Sequence, residues 1–216
     1  MLQFIFKSVA SLVLIIVCRP AIAAPVSFLP IAEAHIIDSD GNGVFETIFD
    51  DPSFALSIRR FDGTVQDRTV IEYDLSSISG DVHVTSARLD FRVTAIPLAG
   101  SGAVSIGGYA GNGTIELADA ANPVLAIGSY DAMTEGLGLT SVNLDPAFFQ
   151  NQLAGTAPIG LRLESAVNEV NTSISQSSPA PTLVLDVVAV PEPCLLGLLT
   201  IFIAGCSLSR RSRTAT

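Results

Sequence analysis

Cysteine is missing from the whole stretch between residues 19 and 193; Cys18, Cys194 and Cys206 all lie in apolar segments near the two ends. A central domain of this kind has no disulfide, so packing alone must hold it together. Tryptophan is absent altogether, and positive charge is scarce. Residues 24 to 189 hold six arginines against twenty acidic residues, a net −14. A surface of that sign repels nucleic acid and anionic headgroups, which excludes nucleic-acid partners.

Catalytic signatures are equally thin. His35 and His83 are far apart and share no metal-binding spacing. No G-x-S-x-G elbow presents a serine nucleophile. The glycine run SIGGYAGNGT lacks the Lys-Ser/Thr and the helix that a phosphate cradle requires. Asp50-Asp51, or Glu164 with Glu169, are what an acidic surface shows by chance. No catalytic residue is assigned, and the expectation is a non-enzymatic protein. A carboxylate-dependent polysaccharide hydrolase or lyase stays open as the enzymatic alternative, because paired acids declare themselves only in three dimensions.

What is present is a period of two. In VTSARLDFRV, Ala87, Leu89, Phe91 and Val93 alternate with Arg88, Asp90 and Arg92. RTVIEYDL puts Thr69, Ile71, Tyr73 and Leu75 on one face, with Glu72 and Asp74 opposite. PIGLRLE and PTLVLDVV repeat the pattern, and breaks rich in Gly, Pro and Ser separate the runs. Only DPAFFQNQLAG reads as helix, with Asp145 as cap, Pro146 at the first position and Gly155 as stop. Many short strands with frequent turns predict an all-β fold, an antiparallel β-sandwich or jelly roll.

The two ends differ from this middle. Residues 1–23 carry Lys7, an apolar run from Val9 to Cys18 and the small-x-small sequence Ala21-Ile22-Ala23. They predict a signal peptide, cleaved by signal peptidase so that Ala24 is the first mature residue. Residues 190–216 hold Pro191-Glu192-Pro193, an apolar run from Cys194 to Leu208, and Arg210, Arg211 and Arg213. As a helix that run spans about 22 Å, short of the ~30 Å hydrocarbon core, and snorkelling arginines cover part of the deficit. Positive charge stays cytoplasmic, so the segment predicts a short C-terminal transmembrane helix with the domain of residues 24–189 exported.

The order Pro-Glu-Pro, apolar span, arginine cluster resembles the PEP-CTERM sorting signal of Gram-negative bacteria, also labelled an ice-binding-protein C-terminal domain. The resemblance covers roughly residues 189 to 213. It implies transient anchoring in the inner membrane, processing near Pro191, Glu192 and Pro193 by an exosortase, and delivery to the cell surface or extracellular matrix. In that family the system accompanies exopolysaccharide and biofilm production. A second resemblance lies in SIRRFDGTVQDRTVIEYDLSSISGDVHVTSARLDFRV. Arg68, Tyr73, Asp74, Leu75, Ser76, Ser77, Ile78, Thr85, Ser86, Ala87 and Leu89 match the hallmark of DNRLRE-type, carbohydrate-binding-module-like domains. That resemblance implies a β-sandwich and, for the family, sugar binding; exopolysaccharide is the partner that the sorting system implies.

IIDSDGNGVFETIF reads in two ways. Asp38, Asp40 and Asn42 alternate before Gly43, as in the opening of a calcium loop, where every second side chain turns inward. The twelfth position is Phe49, not Glu, so a complete EF-hand is excluded; Glu46 or Asp50 would have to close a different loop. The other reading, a polar hairpin turn between apolar strands, is the commoner meaning of Asp-Gly and Asn-Gly. No other cofactor is expected.

Overall fold

A computed structural model describes residues 23–97, 102–155, 158–165, 167–176 and 179–190. The alternation of VTSARLDFRV belongs to its longest strand, in which Ala87, Leu89, Phe91 and Val93 are all buried. Twelve strands run through the described residues: β1 (Ala24–Phe28), β2 (Ala32–Asp38), β3 (Thr47–Phe49), β4 (Leu56–Phe61), β5 (Val65–Tyr73), β6 (Val82–Ala95), β7 (Ala103–Ala110), β8 (Leu125–Asp131), β9 (Gly138–Leu144), β10 (Ile159–Glu164), β11 (Val170–Ile174) and β12 (Thr182–Ala189). Three short helices interrupt them: α1 (Leu117–Ala121), α2 (Ala132–Glu135) and α3 (Pro146–Gln152). The fold is all-β, as expected, and its described registers are antiparallel.

The strands make one hydrogen-bonded path, β1-β12-β6-β11-β4-β5-β10-β7-β8; β2 flanks β5 and carries β3, while β9 flanks β6. Inward side chains from β4 through β12 meet in a single cluster that includes Leu56, Tyr73, Phe91, Ile106, Leu161 and Leu185. Strands from both halves of the path share that cluster, so the network curls and its inner face closes on itself. Phe148 and Phe149 of α3 pack into the same core. The Asp145 side chain accepts from Ala147 N at the start of α3, and Pro146 occupies the first turn, as the sequence predicts. α1 and α2 were not legible, being too short to show a helical period.

The main departure from the sequence reading concerns the outer face of β5. A half-buried strand should leave Glu72 wet, yet Glu72 is fully buried. A second layer covers that face. The cross-strand partners Ala34 and Val70, Val70 and Arg162, and Gly160 and Tyr109 line it. A small cluster of Ile36, Phe45, Val70, Tyr109 and Ala120 fills it, beneath the β2–β3 loop and α1. Glycines in β7 and β10 make room: a Cβ on Gly160 would lie 2.0 Å from Cζ of Tyr109, and one on Gly108 would lie 2.6 Å from Cζ of Phe148. The glycine-rich middle therefore seats aromatic rings on both faces of one ladder.

Candidate functional site

The hairpin reading of IIDSDGNGVFETIF holds at its base. β2 pairs with β3 in the register His35 to Phe49, Ile36 to Ile48 and Ile37 to Thr47. The connection is a long loop and not a two-residue turn, and its carboxylates do the folding. Asp38, fully buried at the end of β2, accepts from Asn42 N at 3.2 Å and Gly43 N at 2.7 Å. Asp40 accepts from the same Asn42 N at 3.2 Å and from Asn42 Nδ2 at 2.9 Å. Glu46 reaches back to Ser39, accepting from N at 3.0 Å and Oγ at 3.3 Å. Gly41 and Gly43 take positive φ, +70° and +90°, a region that favours glycine. A Cβ on Gly41 would strike Thr64 N at 2.5 Å, which fixes the loop against the β4–β5 turn.

The outcome is convergence. One carboxylate oxygen from each of Asp38, Asp40 and Glu46 lies within 4.8 Å of the others. Three hard oxygen donors suit calcium in preference to zinc or copper, which draw on nitrogen and sulfur. Asn42, expected as a ligand, also serves the turn: its Oδ1 accepts from Val44 N at 2.7 Å. Asp50 is outside the cluster. A cleft of about 210 Å³ borders the loop, lined by Gly41, Asn42, Gly43, Arg60, Asp62 and Gln66 among others.

Beside this loop lies a charged layer that the sequence did not reveal. The Arg68 guanidinium stands 4.7 Å from the centroid of the Phe45 ring, a cation–π contact joining β5 to the loop. Arg68 pairs with Glu164 at 2.8 Å and donates to the Ala120 carbonyl. Arg162, also paired with Glu164, donates to the carbonyls of Asp119, Ala120 and Asn122 at 3.2, 2.9 and 2.7 Å. Helix ends leave carbonyls without partners and attract cations, so the two arginines complete the C-terminal end of α1. Glu72 anchors the preceding segment, accepting from Tyr109 Oη at 3.2 Å, Asn112 N at 3.4 Å and Gly113 N at 2.5 Å. Burial raises the Glu72 carboxyl above its ordinary range, against those hydrogen bonds.

On the inner side of the β2–β5 ladder a second group of charges sits in low dielectric. Asp67 is fully buried, bonded through Oδ2 to Arg59 Nε at 2.6 Å, with Oδ1 lacking a partner. The neighbouring Arg60 bonds separately to Asp62 at 3.0 Å. His35 packs on Phe49 with ring centroids 4.9 Å apart. Burial lowers its pKa, partly opposed by the charge of Asp67. Burial pushes Glu33 up to about 7, and its Oε2 also lacks a partner. His83 is elsewhere, against Gln150 of α3 at 3.2 Å.

The sorting residues Pro191, Glu192, Pro193, Arg210, Arg211 and Arg213, and Ala21 of the expected cleavage site, lie outside the described residues. Ala23 is exposed and Ala24 opens β1. Among the described residues no helix is long and apolar enough to cross a membrane. In comparisons with known proteins, no family model matches the chain, and no curated protein matches it.

Proposed function

We propose that this is a non-enzymatic exported protein of the cell envelope or extracellular matrix, sorted by an exosortase through its C-terminal signal and associated with exopolysaccharide. One observation carries the reading: Pro191-Glu192-Pro193, an apolar span and an arginine cluster follow in order, starting two residues after β12 ends at Ala189. The N-terminal signal supplies the complementary export step, and the inner membrane holds the chain between the two processing events. The exported part is then the β-rich domain, a sandwich of the carbohydrate-binding-module type. Two prolines at the membrane edge resist helix and keep the segment extended for an enzyme. Deleting residues 191–216 in the exporting host tests this. The truncated chain should lose membrane retention and pass into the medium; unchanged surface display would count against the proposal. Mass spectrometry of the mature protein should find Ala24 at its start and an end near Pro191.

A second reading is a calcium-supported polysaccharide-binding module, favoured by the convergence of Asp38, Asp40 and Glu46. Binding to acidic exopolysaccharide, weakened by chelator, is its expected signature in a pull-down. Equal retention with and without chelator would leave the ion no part in binding.

A further inference from the structure

We propose that β1 is a displaceable clasp on β12, and that its displacement opens residues 183–187 to a partner that takes extended chain as an added strand, as peptidases and transpeptidases do. The sorting proposal supplies the identity of that partner; the clasp itself is read from the strand pairing. Among the described residues β1 ends the strand path and pairs with β12 alone, in the register Ala24 to Val187 through Phe28 to Leu183. Val188, Ala189 and Val190 run on past the paired stretch, the last two exposed. Three residues therefore separate the covered ladder from Pro191. An enzyme that grips several consecutive backbone groups ahead of its target would meet β1 already in the position it needs.

The two strands are anchored unequally. Of β1, only Phe28 is buried, Val26 is half-buried, and Ala24, Pro25 and Ser27 are exposed. Pro25 offers no N–H to the ladder. β12 is held on its other edge, next to β6, where Thr85 Oγ1 donates to Asp186 O at 3.1 Å and Ser86 Oγ to Asp186 Oδ2 at 2.5 Å. Leu183 and Leu185 are fully buried as well. Local opening takes the weakest element first, so β1 leaves while β12 stays. Ala24 is also the residue expected after signal cleavage, so both junctions of the domain sit at the same end of one strand pair.

The test uses the full-length chain in detergent, digested under native conditions with a broad-specificity protease and mapped by mass spectrometry. Phe28→Ala weakens the clasp. Ser27→Cys with Val184→Cys, a directly opposed pair, locks it by a disulfide that reductant reopens. The parent should be cut from residue 188 onward. Phe28→Ala should add cuts within 183–187, appearing about tenfold faster than in the parent, the effect of weakened local closure. The oxidised lock should abolish those cuts, and reduction should restore them. Cuts within 183–187 that persist in the oxidised lock, or that come no faster in Phe28→Ala, overturn the clasp. In exporting cells, tail loss from the locked chain at the parental rate overturns its gating role. A parental tail that is never removed instead overturns the sorting proposal, and the protease map then decides the clasp alone.

Discussion

The ring of Tyr109 lies against Gly160, its partner across the β7–β10 ladder, closely enough that no side chain fits beneath it. The same tyrosine hydroxyl donates to buried Glu72 at 3.2 Å. The missing side chain on β10 and the carboxylate on β5 thus position one residue from two directions.

Gly160→Ala should destabilise the domain by about 3 kcal/mol, the upper range for overpacking, because the new methyl must displace the ring and its bond to Glu72. Tyr109→Phe keeps the ring and loses only the hydroxyl; about 1 kcal/mol is expected. Urea denaturation of both variants measures the ratio, and equal costs would mean that the ring is not seated on the glycine.

Arg162→Met removes the donor shared by Asp119, Ala120 and Asn122 and leaves Glu164 without one of its two arginines. Removing one member of a buried charge network costs about 3–5 kcal/mol. Hydrogen exchange in residues 117–122 should rise before global unfolding, since α1 loses one of its two arginine partners. Unchanged protection there would show that Arg68 and the apolar contact of Ala120 hold α1 without Arg162.

Glu33 gives the domain an acid-side preference. Its folded value near 7 lies above the ordinary 4.5, so the folded chain keeps a proton that the unfolded chain has lost. Stability contributed by this group is complete below about pH 4.5 and is lost as pH rises to about 7. Glu33→Gln removes the loss: the variant should match the parent below pH 4.5 and exceed it by about 1 to 2 kcal/mol at pH 8, allowing for partial exposure. Denaturation curves across that range give the difference directly, and a constant offset would exclude Glu33 as its source.

Calcium should raise the melting temperature if Asp38, Asp40 and Glu46 hold it. Extracellular calcium sites bind in the range of roughly 0.1–1 mM, so 1 mM ion should add about 0.4–1.4 kcal/mol. Glu46→Gln should abolish the increment while costing little without ion, because Glu46 is exposed. An identical calcium response in Glu46→Gln would remove the site.

Strand positions were legible wherever one face is apolar and the other polar, as in β6, and α3 was legible because Asp145 and Pro146 mark its start. The loop acids were legible by spacing, although not the burial of Asp38. The outer layer was hidden because its charges imitate a solvated face. Glu72 and Arg162 alternate with apolar neighbours as surface residues do, and besides Tyr109 and Glu164 their partners are main-chain groups of residues 112–122, which leave no side-chain signature. Asn42 has a use that its spacing did not announce: the side chain that suits a ligand position also suits an Asx turn, and its Oδ1 accepts from Val44 N.

The register of β1 with β12 joins residue 24 to residue 187 and so sets an order of events during synthesis. The first strand to emerge has no mate until almost the last of the domain has followed it. On the export proposed above, a chain threading outward from its N-terminus crosses with its opening strand unmated, and final closure waits on the stretch that directly precedes the greasy tail.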